Sequence, residues 1–179
     1  MDTYNIVLTP SKDFSQALTA FSQNTLKDIH NGYCLEQGRV FPHITFCQFT
    51  CDEAQIIQHL NQKLSGFAPF EGNIVFSRFY IKPCSYEAEP SYHLGLEVDK
   101  SEALYQLHLD VLSLFEGIKL LIQTPSRDQY WPHLTIGRIP SGTQIPAVSI
   151  DPSLFNKDGF SGWTLEMGRG DEVGQYIGP

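Results

Sequence analysis

Phe41-Pro42-His43-Ile44-Thr45-Phe46 recurs later in the chain as Trp131-Pro132-His133-Leu134-Thr135-Ile136. Each copy reads aromatic, Pro, His, aliphatic, Thr, apolar. With 6 His and about ten Thr in the chain, chance placement gives about 0.3 His-x-Thr triplets in all. Two copies inside one longer frame are therefore a signal. Alone, a His-Ile-Thr is most simply a packed histidine with a satisfied hydrogen bond; the matched second copy favours a joint catalytic or ligand-binding role.

Strand geometry says what the repeat presents. Side chains alternate faces with a period of two, so His43 and Thr45 share one face while Ile44 and Phe46 share the other. The same holds for His133 and Thr135 against Leu134 and Ile136. Pro42 and Pro132 suit the start of a strand. Continued alternation turns the small residues Cys47 and Gly137 inward, leaving room beneath the polar pairs, and turns Arg138 away as a structural residue. Two imidazoles and two hydroxyls suit phosphoryl chemistry. One ring can deprotonate water while the other protonates a leaving oxygen, and the threonines can donate to phosphate oxygens where charge builds. No carboxylate lies in either motif, and neither has the spacing of a metal site. The reading is metal-free and needs no cofactor.

Alternating strand and helix signals surround the motifs. Tyr4–Leu8 reads as a strand and Asp13–Ile29 as an amphipathic helix carrying Phe14, Leu18 and Phe21. A strand runs through Ile44–Phe49. A Thr50-x-x-Glu53 capping box then opens a helix lined by Ala54, Ile57, Leu60 and Leu64. Strands follow at Asn73–Ile81 and Tyr92–Val98, separated by a loop holding Pro83 and Pro90. Asp99 or Ser101 caps a helix with Leu104, Leu107 and Val111, ended by Gly117. Ile118–Gln123 and His133–Ile139 read as strands, 140–160 mainly as loop, and Trp163–Gly168 with Val173–Ile177 as a closing hairpin. This is an α+β pattern. The four cysteines, Cys34, Cys47, Cys51 and Cys84, show no zinc spacing and read as free, mostly buried thiols.

The chain is 179 residues long with a formal charge of −8, 41% hydrophobic residues, 12 Phe and 8 Tyr. This is a globular composition. The acidic balance excludes broad binding to a long nucleic-acid backbone, while a local pocket can still hold a small anion. No apolar run is long enough for a membrane span, and the first residues lack a secretory pattern. The expectation is a cytoplasmic protein without membrane contact.

At the two hexapeptides the chain resembles the two-histidine (2H) phosphoesterase superfamily, whose signature is a pair of His-x-Thr/Ser motifs. It is similar to the LigT-like RNA 2′,3′-cyclic phosphodiesterases, also called 2′-5′ RNA ligase-like proteins, and to the cyclic nucleotide phosphodiesterases. The resemblance extends over nearly the whole chain in length and element order. It implies one bilobal α+β domain over residues 1–179, with two antiparallel sheets lining a central cleft and helices outside. It also implies His43 and His133 as the catalytic pair and Thr45 and Thr135 as phosphate ligands. By analogy, His133 activates water and His43 protonates the leaving ribose oxygen of a 2′,3′-cyclic phosphate.

Around this site, Tyr130 and Trp131 are candidates to stack on a base. Tyr130, in a loop, is the better one; Trp131, like Phe41, also fits core packing. Arg39 and Arg127 lie in motif-flanking loops where a guanidinium could reach phosphate. The expected partner is a small nucleotide or an RNA terminus, bound by a monomer. Cleavage of 2′-5′ oligoadenylates and noncatalytic nucleotide binding are the competing readings.

Overall fold

The computed structural model describes residues 1–29, 33–36, 38–84, 90–123, 129–145, 147–171 and 175–179. Its elements are β1 (Asp2–Thr9), α1 (Lys12–Leu26), β2 (Tyr33–Cys34), β3 (Ile44–Cys51), α2 (Ala54–Leu64), β4 (Phe76–Cys84), β5 (Ser91–Val98), α3 (Glu102–Ser113), β6 (Leu121–Ile122), β7 (His133–Pro140), a 3-10 turn (Pro152–Phe155), β8 (Thr164–Gly170) and β9 (Tyr176–Gly178). The strands run β4-β5-β7-β3-β1-β8-β9, with β2 beside β7 and β6 beside β3. Every pairing is antiparallel. This is the α+β architecture expected, and it is built about a seam. Between β3 and β7 the ladder is reduced to Ile44 opposite Leu134, so in place of the two sheets expected there is, among the described residues, one nine-stranded sheet whose halves, β4-β5-β7 and β3-β1-β8-β9, join narrowly where the motifs lie.

The helices cover one face of the sheet, resting on β2, β3, β7 and β8. Ile44, Phe46, Leu134 and Ile136 project into that interface and are fully buried, each side chain contributing about 1.5–3 kcal/mol. The other face carries the polar residues of both motifs.

Two local expectations fail for visible reasons. Thr50 stays in β3, and α2 starts at Ala54 without a side-chain cap, so the strand outcompetes the capping box. Pro83 lies inside β4 opposite Tyr92, which is tolerated because β4 is a sheet edge where a missing N–H costs no ladder bond. In α3, Ser101 is the cap, its hydroxyl accepting from Leu104 N at 3.2 Å. That helix ends at Ser113, before Gly117, and the expected strand after it shortens to Leu121–Ile122. The four cysteines are free, and only Cys34 is not buried.

A larger departure concerns the phase of the two motif strands. Along β3, Ile6 of β1 faces Cys47 and Val7 faces Thr45, so Phe46 is an unpaired extra residue. Along β7, Leu94 of β5 faces Gly137 and Gly95 faces Thr135, so Ile136 is the extra residue. Each motif therefore carries a β-bulge three residues after its histidine, and each bulge reverses the alternation beyond it. Cys47 and Gly137 turn toward the helices: Cys47 is fully buried, and a Cβ on Gly137 would overlap Leu26 Cδ1 of α1. They leave no space under the polar pairs. Gln48 and Arg138 take the cleft face instead, opposite Asn5 and His93. The reading of Arg138 as turned away is corrected on the same ground.

Candidate active site

With Ile44 opposite Leu134, antiparallel register sets His43 across from Thr135 and Thr45 across from His133. The four side chains share one face, and the two motifs are related by a pseudo-two-fold axis through the seam. Each imidazole is held in the same way. His43 Nδ1–H donates to Phe41 O at 2.7 Å, and His133 Nδ1–H donates to Trp131 O at 2.9 Å. A carbonyl can only accept, so Nδ1 carries the proton in both neutral rings. Nε2 is left as the unprotonated nitrogen on each side.

Both rings are kept neutral. Burial pushes His43 below the usual imidazole range, against the opposing pull of the Phe41 carbonyl. Burial also takes His133 down to about 4; His43, His93 and Lys82 push the same way, and the Trp131 carbonyl opposes. A phosphodiester anion entering between them would reverse much of this, because an opposite charge nearby favours the imidazolium.

A tyrosine flanks each histidine. The Tyr80 ring lies 5.8 Å from His133, and its hydroxyl is 3.4 Å from Thr135 Oγ1. Tyr80 lies over Gly95, where any Cβ would strike its hydroxyl and Leu134 O. In the other half the Tyr176 ring lies 5.3 Å from His43 and covers Gly168 in the same manner. Burial and the Glu166 carboxylate push the Tyr176 phenol up, so it is a donor rather than a base. The Cys47 thiol, pushed up to about 12 by burial, offers no thiolate.

The candidates outside the motifs fare unevenly. Tyr130 is not at the rim: it is 4% exposed and stacks at 3.8 Å on His108 of α3, on the helix side. Its position beyond the strand start places it under the core rather than over the cleft. Of the two aromatic candidates Trp131 is the one at the site, lying 4.3 Å from His133 at 19° with Lys82 Nζ 3.3 Å over its ring. Arg39 is exposed and pairs with Glu36 at 3.6 Å. Arg127 lies outside the described residues. Tyr80, Tyr176, Lys82 and Gln48 had no motif to announce them, being brought in by strand pairing. For Arg138 a signal existed, since a lone glycine within a strand pattern, here Gly137, marks a bulge. Among the described residues no cluster of three or more His, Cys, Asp or Glu is placed to hold a metal ion, and no helix is long and apolar enough to cross a membrane.

This twofold His-x-Thr site on an antiparallel α+β frame defines a class, and the sequence agrees: residues 10–149 match the model of the 2′-5′ RNA ligase superfamily. The chain belongs to that superfamily, a membership that supports phosphodiesterase- or ligase-type chemistry on phosphodiester bonds. Among solved structures it is similar to the MHV ns2 PDE domain, with 15% identity, a TM-score of 0.48, and coverage of 94% of this chain and 99% of that one. It is also similar to Kluyveromyces marxianus Usb1, with 13% identity, a TM-score of 0.47, and coverage of 79% and 71%. No curated protein matches the sequence.

Proposed function

We propose that the protein hydrolyses 2′,3′-cyclic phosphates of nucleotides or RNA ends without a metal, using His43 and His133 as an acid–base pair. The observation that carries this is the matched anchoring of the two rings. Each has Nδ1–H bound to a carbonyl two residues back, so each turns Nε2 toward the shared cleft beside a threonine hydroxyl. In the proposed step His133 Nε2 takes a proton from water, and the water oxygen attacks phosphorus. The bond from phosphorus to one ribose oxygen breaks in line, and His43 Nε2–H gives that oxygen its proton. Thr45 and Thr135 donate to the nonbridging oxygens, whose charge rises as the fifth bond forms. The product is a phosphomonoester; the histidines end in exchanged protonation states and reset through solvent.

The test is incubation with 2′,3′-cyclic AMP, ADP-ribose 1″,2″-cyclic phosphate, cyclic-ended RNA and 2′-5′ oligoadenylate, each with and without EDTA. Turnover of a cyclic phosphate that survives EDTA is expected, with His43→Ala and His133→Ala each lowering kcat by about 100-fold or more. Activity unchanged in either variant sinks the mechanism, and turnover confined to the oligoadenylate replaces the substrate.

A further inference from the structure

The two motifs repeat, but their surroundings do not. His43 has a neutral phenol beside it, Tyr176. His133 lies nearly parallel to the Trp131 indole, and the ammonium of Lys82 is 3.3 Å over that ring. Lys82 reaches this place by register, opposite His93 on the cleft side of β5. We propose that Lys82 is a positioning residue of the site: held against Trp131, it steadies the indole on which His133 stacks, and it sets a fixed positive charge beside that ring which disfavours a second one there. The near symmetry of the motifs is thereby broken, leaving His133 as the ring that stays unprotonated. The proposal rests on the acid–base reading above.

Of the other groups facing His133, His43 and His93 push it the same way, but as imidazoles whose burial favours the neutral form rather than as an ammonium. Tyr80 of β4 is a neutral phenol edge-on to it. Glu97 of β5, directly opposite His133, is engaged by Arg78 at 2.8 Å; Arg78 first, then a hydrogen bond with the Trp131 side chain and the Lys82 charge, hold its carboxyl below the usual range, so it shares with Lys82 the anchoring of the indole. His93 of β5 is buried and pushed toward its neutral form. His43 of β3 also pushes His133 down. Lys82 is the exposed cation on this side that the stack couples to the ring. Its ammonium lies within about 8 Å of the imidazole, near enough to move a titration by about half a pH unit through partly solvated surroundings.

The experiment follows the His133 ring by NMR titration in the free protein, alongside kcat/KM against pH for 2′,3′-cyclic AMP. Native protein, Lys82→Gln and Lys82→Arg are compared. Lys82→Gln is expected to raise the His133 midpoint by about half a unit and to carry the acid flank of kcat/KM up with it. Lys82→Arg, which keeps the charge and the stacking, is expected to restore both. A midpoint unmoved in Lys82→Gln overturns the proposal even if kcat falls, because a merely structural role would lower rate without moving the titration. If Lys82→Gln shifts the midpoint while no cyclic phosphate is turned over by native protein, the hydrolase reading fails and the role of Lys82 toward His133 stands.

Discussion

At the scale of single residues, the chemistry turns on protons that the free protein is reluctant to hold. Both imidazoles sit below the usual range because burial penalises the charged ring, yet the proposed acid–base catalysis needs one ring charged and one neutral. In the free protein that state exists only between the two depressed values. Above the higher one there is no proton to give the leaving oxygen, and below the lower one there is no base for water. Since both lie under 6.5, kcat/KM for a cyclic phosphate is expected to peak on the acid side of pH 6.5 and to fall as pH rises through neutrality. The profile of kcat belongs to the complex, where the bound anion stabilises imidazolium, so its optimum should lie at higher pH. Steady-state kinetics from pH 4 to 9 reads both. A kcat/KM optimum at pH 8 or above would contradict the pair as described.

Among the elements, the two bulges decide which residues follow each His-x-Thr pair on the cleft face. One of them is pinned from behind by α1. Ser22, fully buried, donates its hydroxyl to the carbonyl of Ile136, the unpaired residue of the β7 bulge. It also accepts from Leu35 N at 2.9 Å. Replacing Ser22 by Ala strands a buried carbonyl and a buried N–H together. The expected cost is about 1–3 kcal/mol, read as a lower urea midpoint with an unchanged slope; a loss within a few tenths would show that the bulge holds without the pin. The same bulges explain where sequence reading stopped. Thr45 and Thr135 were legible beside their histidines because the period of two holds from the strand start to that point. Cys47, Gly137 and Arg138 were misplaced because one extra residue shifts the phase, and pattern alone does not display an insertion that the partner strand defines. Tyr130 failed differently: its neighbours read as loop, but its ring found His108 and Phe46 on the helix side. The helix and strand order was legible nearly throughout, since it depends on local periodicity; Tyr80, Tyr176 and Lys82 depend on which strands pair.

For the whole molecule, charge decides how much of a substrate can be held. The chain carries 12 Lys and Arg against 20 Asp and Glu, and several of its arginines already have carboxylates: Arg39 pairs with Glu36 at 3.6 Å, Arg78 with Glu97 at 2.8 Å and Arg169 with Asp2 at 3.5 Å. These pairs are dispersed over a turn, the edge strand β4 and the far strand β8, so they do not form a track along which a phosphodiester backbone could lie. On the proposed reading, binding is then confined to the cleft at the seam, where the histidines and threonines would meet one terminal phosphate, with Lys82 at its side. Each phosphate neutralised on a single strand adds about −0.7 to the slope of log affinity against log salt. A site that grips one or two phosphates should give a slope of about −1, whatever the length of the strand behind the end. The expected outcome is that a cyclic-ended dinucleotide and a cyclic-ended 20-mer show KM values within about threefold of each other at physiological salt. If the long strand instead binds tenfold or more tightly, and the gap closes as salt rises, then a second run of phosphates is being held outside the cleft. The confinement of substrate to the seam would be wrong, while the roles of His43 and His133 would be untouched.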